Sequence, residues 1–135
     1  MRIFITGVSS GIGRELVKCL VIQGHEVWGV ARRMDALEAL AEEVDSVAFT
    51  FDCCDIVDAV SNEKLLAKMS EQNYVPDVVV LNAAVDLEDT CPGLDFDQAS
   101  RMMRTNFDGA NFWVTAFIER FLQRDSGQFI AVSSI

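Results

Sequence analysis

Basic residues, histidine and tyrosine are what this sequence is short of. Lys and Arg number 11 against 21 Asp and Glu, a formal charge of −10. Such an excess of carboxylates disfavours non-specific contact with nucleic acid or anionic membranes, whose phosphates attract cations. A lone histidine, His25, excludes sites built from several imidazoles. Cys19, Cys53, Cys54 and Cys91 show no metal-ligand spacing with it or with each other, so no metal is expected and the thiols are read as reduced and mostly buried. No apolar run is long enough to span a bilayer, and Met1 and Arg2 lead straight into "IFITG" without a basic, then hydrophobic, leader. Cytoplasmic residence is the expectation. Repeats, low-complexity segments and linkers are absent too.

What is there is a core. Half of the 135 residues are hydrophobic and the mean hydropathy is +0.22, enough for a single domain over residues 1–135. Short β-rich runs fall at Arg2–Thr6, Glu26–Ala31, Ser46–Phe51, Asp77–Leu81 and Gln128–Ser133. Between them the period changes to that of a helix: Ile12, Leu16, Cys19 and Leu20 share one face, and Met34, Leu37, Leu40 and Val44 another. Asp55 is expected to open a third helix reaching about Ser70, and Asp97 a fourth reaching about Arg124. The strands are continuous apolar runs, as burial on both faces requires. Strand and helix in alternation predict an α/β, Rossmann-like, doubly wound parallel sheet with helices on both faces.

The first strand ends in "TGVSSGIG". Gly7, Gly11 and Gly13 sit where bare backbone can approach a pyrophosphate and where the N–H groups and positive dipole of the next helix can hold it. The bland alternative is a plain tight turn. At the end of the second strand, "VWGVARR" puts Ala31, Arg32 and Arg33 where an NAD site places a carboxylate for the ribose 2'-hydroxyl. A guanidinium pairs with a 2'-phosphate through two donors, so NADP is expected over NAD. On the alternative reading the two arginines merely begin a solvated helix.

These motifs, with "FDCCD", "LNAAV", "TNFDGA" and "FIAVSSI" following in order, resemble the short-chain dehydrogenase/reductase family in its short single-domain form, over the whole chain. The resemblance implies the strand order 3-2-1-4-5 and a cofactor site at Thr6, Gly7, Ser9, Ser10, Gly11, Ile12 and Gly13, continued by Arg32 and Arg33. It further implies that Asp52 accepts from the adenine amine beside the backbone of Cys53. Asn82, Ala83 and Ala84 match its motif after the fourth strand, although Leu81 and Ala84 depart from the usual N-N-A-G. Asn106 and Ser134 match its catalytic asparagine and serine, which order a relay water and polarise a carbonyl oxygen.

Each assignment has a structural rival. Asp52 is a potential helix cap, but Asp55 is the better one. Asn82 is placed to satisfy backbone at a strand end. Asn106 is flanked by Met103, Phe107 and Ala110, which predicts that it faces inward. Ser133 and Ser134 alternate across a strand, so one of them faces the cofactor. His25 is expected to be structural.

The family's proton-donating tyrosine, and a lysine four residues after it, lie downstream of the serine strand. The single tyrosine, Tyr74, precedes the fourth strand and sits at the wrong end of a sheet whose ligands bind beyond the carboxyl ends. The sequence therefore reads as the cofactor-binding portion of an NADP-dependent oxidoreductase acting on a small-molecule carbonyl or alcohol, inactive by itself. The competing reading is a non-catalytic dinucleotide-binding module. The fourth helix carries Phe112, Trp113, Val114, Phe117, Ile118, Phe121 and Leu122, too many for one sheet-facing stripe, which predicts a homo-oligomer through residues 97–124 or the fifth-strand edge.

Overall fold

A computed structural model of the chain describes residues 1–86 and 95–133. Five strands, β1 (Arg2–Thr6), β2 (Glu26–Ala31), β3 (Phe49–Cys53), β4 (Val78–Leu81) and β5 (Gln128–Ala131), alternate with helices. They form one parallel sheet in the order β3-β2-β1-β4-β5. The chain thus moves outward from β1 to β3, returns to the other side of β1 at β4, and continues to β5. The chain reverses direction across the sheet between the paired strands β1 and β4, and doubly wound sheets bind ligands beyond the carboxyl ends of the strands at such a switch point.

Strand alternation decides which helix covers which face. Ile3, Ile5, Val27, Val78 and Val80 pack against Val17 of α1 (Gly11–Ile22) and Leu37 and Leu40 of α2 (Met34–Val44). Phe4, Trp28, Val30 and Val79 point the other way. They meet Leu65 and Met69 of α3 (Ala59–Glu71) and Trp113, Phe117 and Phe121 of α5 (Ala110–Gln123). Trp113 and Phe117, both wholly buried, lie with ring centroids 4.5 and 6.0 Å from Phe4. Burying side chains of this size is worth about 1.5–3 kcal/mol each.

Several expectations shift. The third strand runs Phe49–Cys53 rather than Ser46–Phe51. The third helix starts at Ala59, not beside Asp55, because Asp58 accepts hydrogen bonds from Val60 N and Ser61 N, while Asp55 accepts from Val57 N in the turn before it. The fourth helix opens one residue early, capped by Asp95, and is not uniform: α4 (Phe96–Met103) passes into a π-helical turn at Arg104–Gly109 before α5. On α1 the buried side chain is Val17, with Leu16 and Leu20 packed beside it, whereas Ile12 and Cys19 are exposed.

Candidate functional site

All five strands end at one cleft of about 440 Å³. Its wall is made of Gly7, Ser9, Ser10 and Ile12 after β1, Ala31, Arg32 and Arg33 at the end of β2, and Cys54, Asp55 and Ile56 after β3. Asn82 to Val85 after β4 and Val132 and Ser133 after β5 complete it, with Thr105 from the π turn.

The turn after β1 owes its shape to close approach. Gly7 has φ 77°, the left-handed region, and a Cβ there would lie 2.7 Å from Ala83 Cα. A Cβ on Gly13 would collide with Gly7 O and Asn82 Nδ2. Asn82 locks the arrangement by donating from Nδ2 to Thr6 O at 3.1 Å and Gly7 O at 3.0 Å. The Thr6 hydroxyl accepts from Asn82 N and Ala83 N at 3.1 and 3.0 Å. Thr6 and Asn82 therefore hold β1 and β4 together below the switch point. Thr6, Gly11 and Gly13 are not among the lining residues; they set the turn that the others line.

At the head of α1, Ser10 is extended and its side chain makes no cap hydrogen bond, nor does an acidic residue stand in the first turn. By contrast α3 and α4 are capped by Asp58 and Asp95. The first N–H groups of α1 are left for a group in the cleft, and a helix N-terminus of this kind suits an anion. The first turn also lies beside positive charge, since Arg33 Nη2 donates to Ser9 Oγ at 3.3 Å and Arg32 lines the same wall.

Asp52 and Cys53 are placed differently from expectation. Neither lines the cleft. Asp52 accepts from Trp28 Nε1 at 3.1 Å and from Lys68 Nζ at 2.6 Å, on the face of the sheet covered by α3. Cys53 Sγ donates to Arg32 O at 3.2 Å. The lining positions after β3 are Cys54, Asp55 and Ile56, which the sequence reading did not single out as site residues; nothing in the local sequence distinguishes them from their neighbours. Burial pushes the Cys54 thiol up, and it donates to Asn62 Oδ1 at 3.3 Å.

On the opposite side of the cleft, Asn106 does not face inward. It is exposed, as are Met103 and Phe107, and it lies within the π turn at Arg104–Gly109. Its amide nevertheless clamps the loop after β4, donating to Val85 O at 2.9 Å and accepting from Val85 N at 2.8 Å. Ala84 lines the cleft beside Val85. Ser134 lies outside the described residues, as do Cys91 and most of the loop after β4. Tyr74 is buried, its hydroxyl donating to Ile3 O at 3.0 Å near the start of β1, and burial raises its pKa. His25 lies in the turn between α1 and β2, away from the cleft wall. Among the described residues no group of three potential ligands is placed to hold a metal, and no helix is long and apolar enough to cross a membrane.

A parallel sheet wound both ways around a glycine-built switch point, with an uncapped helix end and two arginines on its wall, defines a doubly wound α/β domain of the dinucleotide-binding class. Comparison with known proteins narrows the class. The family model for short chain dehydrogenase matches residues 1–135, and the chain belongs to that family of oxidoreductases. It is 33% identical over 137 residues to an NADPH-dependent pterin aldehyde reductase of Arabidopsis thaliana, covering 98% of this chain and 55% of that protein. Among solved structures it resembles an alcohol dehydrogenase of Thermococcus sibiricus in complex with 5-hydroxy-NADP, at TM-score 0.87 and 27% identity, covering 98% of this chain and 57% of that one. It shares its fold with serine dehydrogenase from Escherichia coli at TM-score 0.90 and 24% identity, covering 99% and 62%. The chain spans about half the length of the curated relatives it matches.

Proposed function

We propose that the chain binds NADP(H) and forms the cofactor-binding part of an oxidoreductase that interconverts a carbonyl and a secondary alcohol. The observation that carries this reading is the cleft wall itself, where Arg32 and Arg33 follow Ala31 at the end of β2 and meet the uncapped end of α1. The N–H groups of α1 and the glycine-lined turn hold the diphosphate. Arg32 and Arg33 hold the 2'-phosphate, with Ser9 keeping the Arg33 guanidinium against the turn. The names of two relatives, an NADPH-dependent reductase and a dehydrogenase complexed with an NADP derivative, point to the same cofactor.

When bound, the nicotinamide supplies the hydride chemistry. The chain's own residues shape the place where it happens. Asn106 fixes the Val85 backbone at the rim, Ala83 and Ala84 form the floor after β4, and Ser134 is the group assigned to polarise the substrate oxygen. Tyr74 takes no part, since its hydroxyl is spent on Ile3 O at the other end of the sheet. The aldehyde substrate in the Arabidopsis relative's name supports a carbonyl substrate class.

Calorimetric titration tests the cofactor assignment. Arg32→Ala is expected to weaken NADPH by about 10- to 150-fold, the equivalent of about 1.5–3 kcal/mol for a charge-assisted contact, and to leave NADH nearly unchanged. Equal losses for both nucleotides would refute it. The same reading includes a homo-oligomer through the outer face of residues 97–124, where Met103, Phe107, Ile118 and Leu122 are exposed while Trp113, Phe117 and Phe121 occupy the sheet. Sedimentation equilibrium is expected to give a mass above 15.0 kDa, and a monomer at high concentration would count against that face as an interface.

A further inference from the structure

With a diphosphate at the head of α1 and a 2'-phosphate at Arg32 and Arg33, the two phosphate holders sit on neighbouring helix ends. NADPH needs both at one fixed separation, whereas NADH needs only the first. The cap of α2 does not set that separation, because Arg33 stands at its N-cap position and makes no side-chain cap bond. Burial of Val17, Leu37 and Leu40 holds both helices to the sheet, but that force is non-directional. Direction comes from Arg14, in the first turn of α1. Its Nη1 donates to Ala36 O at 3.3 Å in the first turn of α2, and its Nη2 pairs with Glu43 Oε2 at 2.9 Å, two turns further along the same face. Anchors so spaced fix the tilt of α2 as well as its distance. From the other side, Arg33 Nη2 reaches back to Ser9 Oγ, before α1, at 3.3 Å. The Arg14 side chain is only 21% exposed and does not line the cleft.

Resting on the NADP(H) reading above, we propose that Arg14 is a positioning residue for coenzyme choice. Without touching the nucleotide, it holds the head of α2 at the distance from α1 that lets one molecule reach both phosphate holders. A guanidinium suits the task because its donors sit on separate nitrogens in a rigid fork, so one takes a helix carbonyl while another takes a carboxylate. Glu43 aims it. Lys18 joins the same network, pairing with Glu43 Oε2 at 2.8 Å and Glu15 Oε1 at 3.0 Å, but its partners lie away from the head of α2. It therefore shares the charge of Arg14 and not its reach.

NADPH and NADH are titrated into the wild-type chain, Arg14→Ala, Glu43→Ala, the double variant and Lys18→Ala, with circular dichroism confirming that each is folded. Arg14→Ala is expected to lower the ratio of NADPH to NADH affinity at least about fivefold, the cost of ordering two arginine side chains that are no longer held in place. Lys18→Ala removes a cation from the same network and should leave the ratio within about twofold. Glu43→Ala separates positioning from charge. Loss of a carboxylate by itself favours the more anionic nucleotide, whereas release of Arg14 lowers the ratio, and a lowered ratio is expected. The double variant should lose no more than Arg14→Ala, because both residues act through one contact. An unchanged ratio in Arg14→Ala, an equal loss in Lys18→Ala, a raised ratio in Glu43→Ala or additive losses in the double variant overturns the assignment while sparing the cofactor reading. A wild type without preference for NADPH removes that reading and this inference together.

Discussion

Replacing Gly13 by alanine tests whether the turn after β1 is held by packing or merely permits a ligand. From the sequence, a bulky side chain at this position is expected to abolish binding of either cofactor and leave the fold largely intact. The structure argues otherwise. A Cβ at Gly13 meets Gly7 O and Asn82 Nδ2, and that amide makes the two hydrogen bonds joining β4 to the end of β1. Displacing it forfeits about 0.5–1.5 kcal/mol per bond. Forcing a methyl into a filled site adds about 1–3 kcal/mol, because backbone rather than a flexible chain end must move. The sum is about 2–6 kcal/mol. For a domain of this size each kcal/mol lowers Tm by roughly 3–5 °C, so thermal unfolding followed by far-ultraviolet circular dichroism should show a drop of about 6 °C or more. Gly11→Ala is the control. Gly11 has φ 57° but open space around its Cβ position, so it should cost only the left-handed strain, about 1–2 kcal/mol. If Gly13→Ala melts within about 3 °C of wild type, or above Gly11→Ala, the packing account is wrong.

Two further outcomes follow from side chains outside the turn. Tyr74→Phe removes the buried hydroxyl that donates to Ile3 O, and is expected to lower the unfolding free energy in urea by about 1–2 kcal/mol without changing NADPH affinity; a loss of affinity at unchanged stability would place Tyr74 in the site after all. Iodoacetamide should alkylate exposed Cys19 and Cys53 in the folded chain well before Cys54, whose thiol is buried and held in its protonated form above the usual range, as mass spectrometry of peptides would report. Because the thiolate is the reactive form, the rate at Cys54 should still be rising with pH where an ordinary thiol has levelled off; labelling at Cys54 as fast as at Cys53 near neutrality would contradict its burial.

Period and punctuation in the sequence were enough to locate the elements. The order of strands and helices along the chain, the parallel sheet, and the close glycine turn after the first strand are all written in local pattern, since continuous apolar strands and one-sided helices have few ways to be packed. Boundaries were less legible. Asp55 and Asp58 are both acceptable caps by residue type, and the choice fell to Asp58 because its carboxylate reaches Val60 N and Ser61 N once the preceding turn is folded. The outer face of residues 97–124 was visible as an excess of apolar residues, but the π turn in which Asn106 lies was not, because it comes from a local change in hydrogen bonding that composition does not record.

Strand alternation, helix period and glycine placement act between near neighbours, and for that reason the sequence by itself determined the architecture and the mouth of the cleft. The tertiary structure alone decided which side chains reach that mouth. Asp52 stands two residues before the lining Cys54, yet it is claimed by Trp28, 24 positions before it, and Lys68, 16 after it. Ile12 left the core for the cleft, and Asn106 found Val85 across 21 residues. Such pairings depend on which strands become neighbours and on how far each donor has to reach, and those distances exist only once the sheet is assembled.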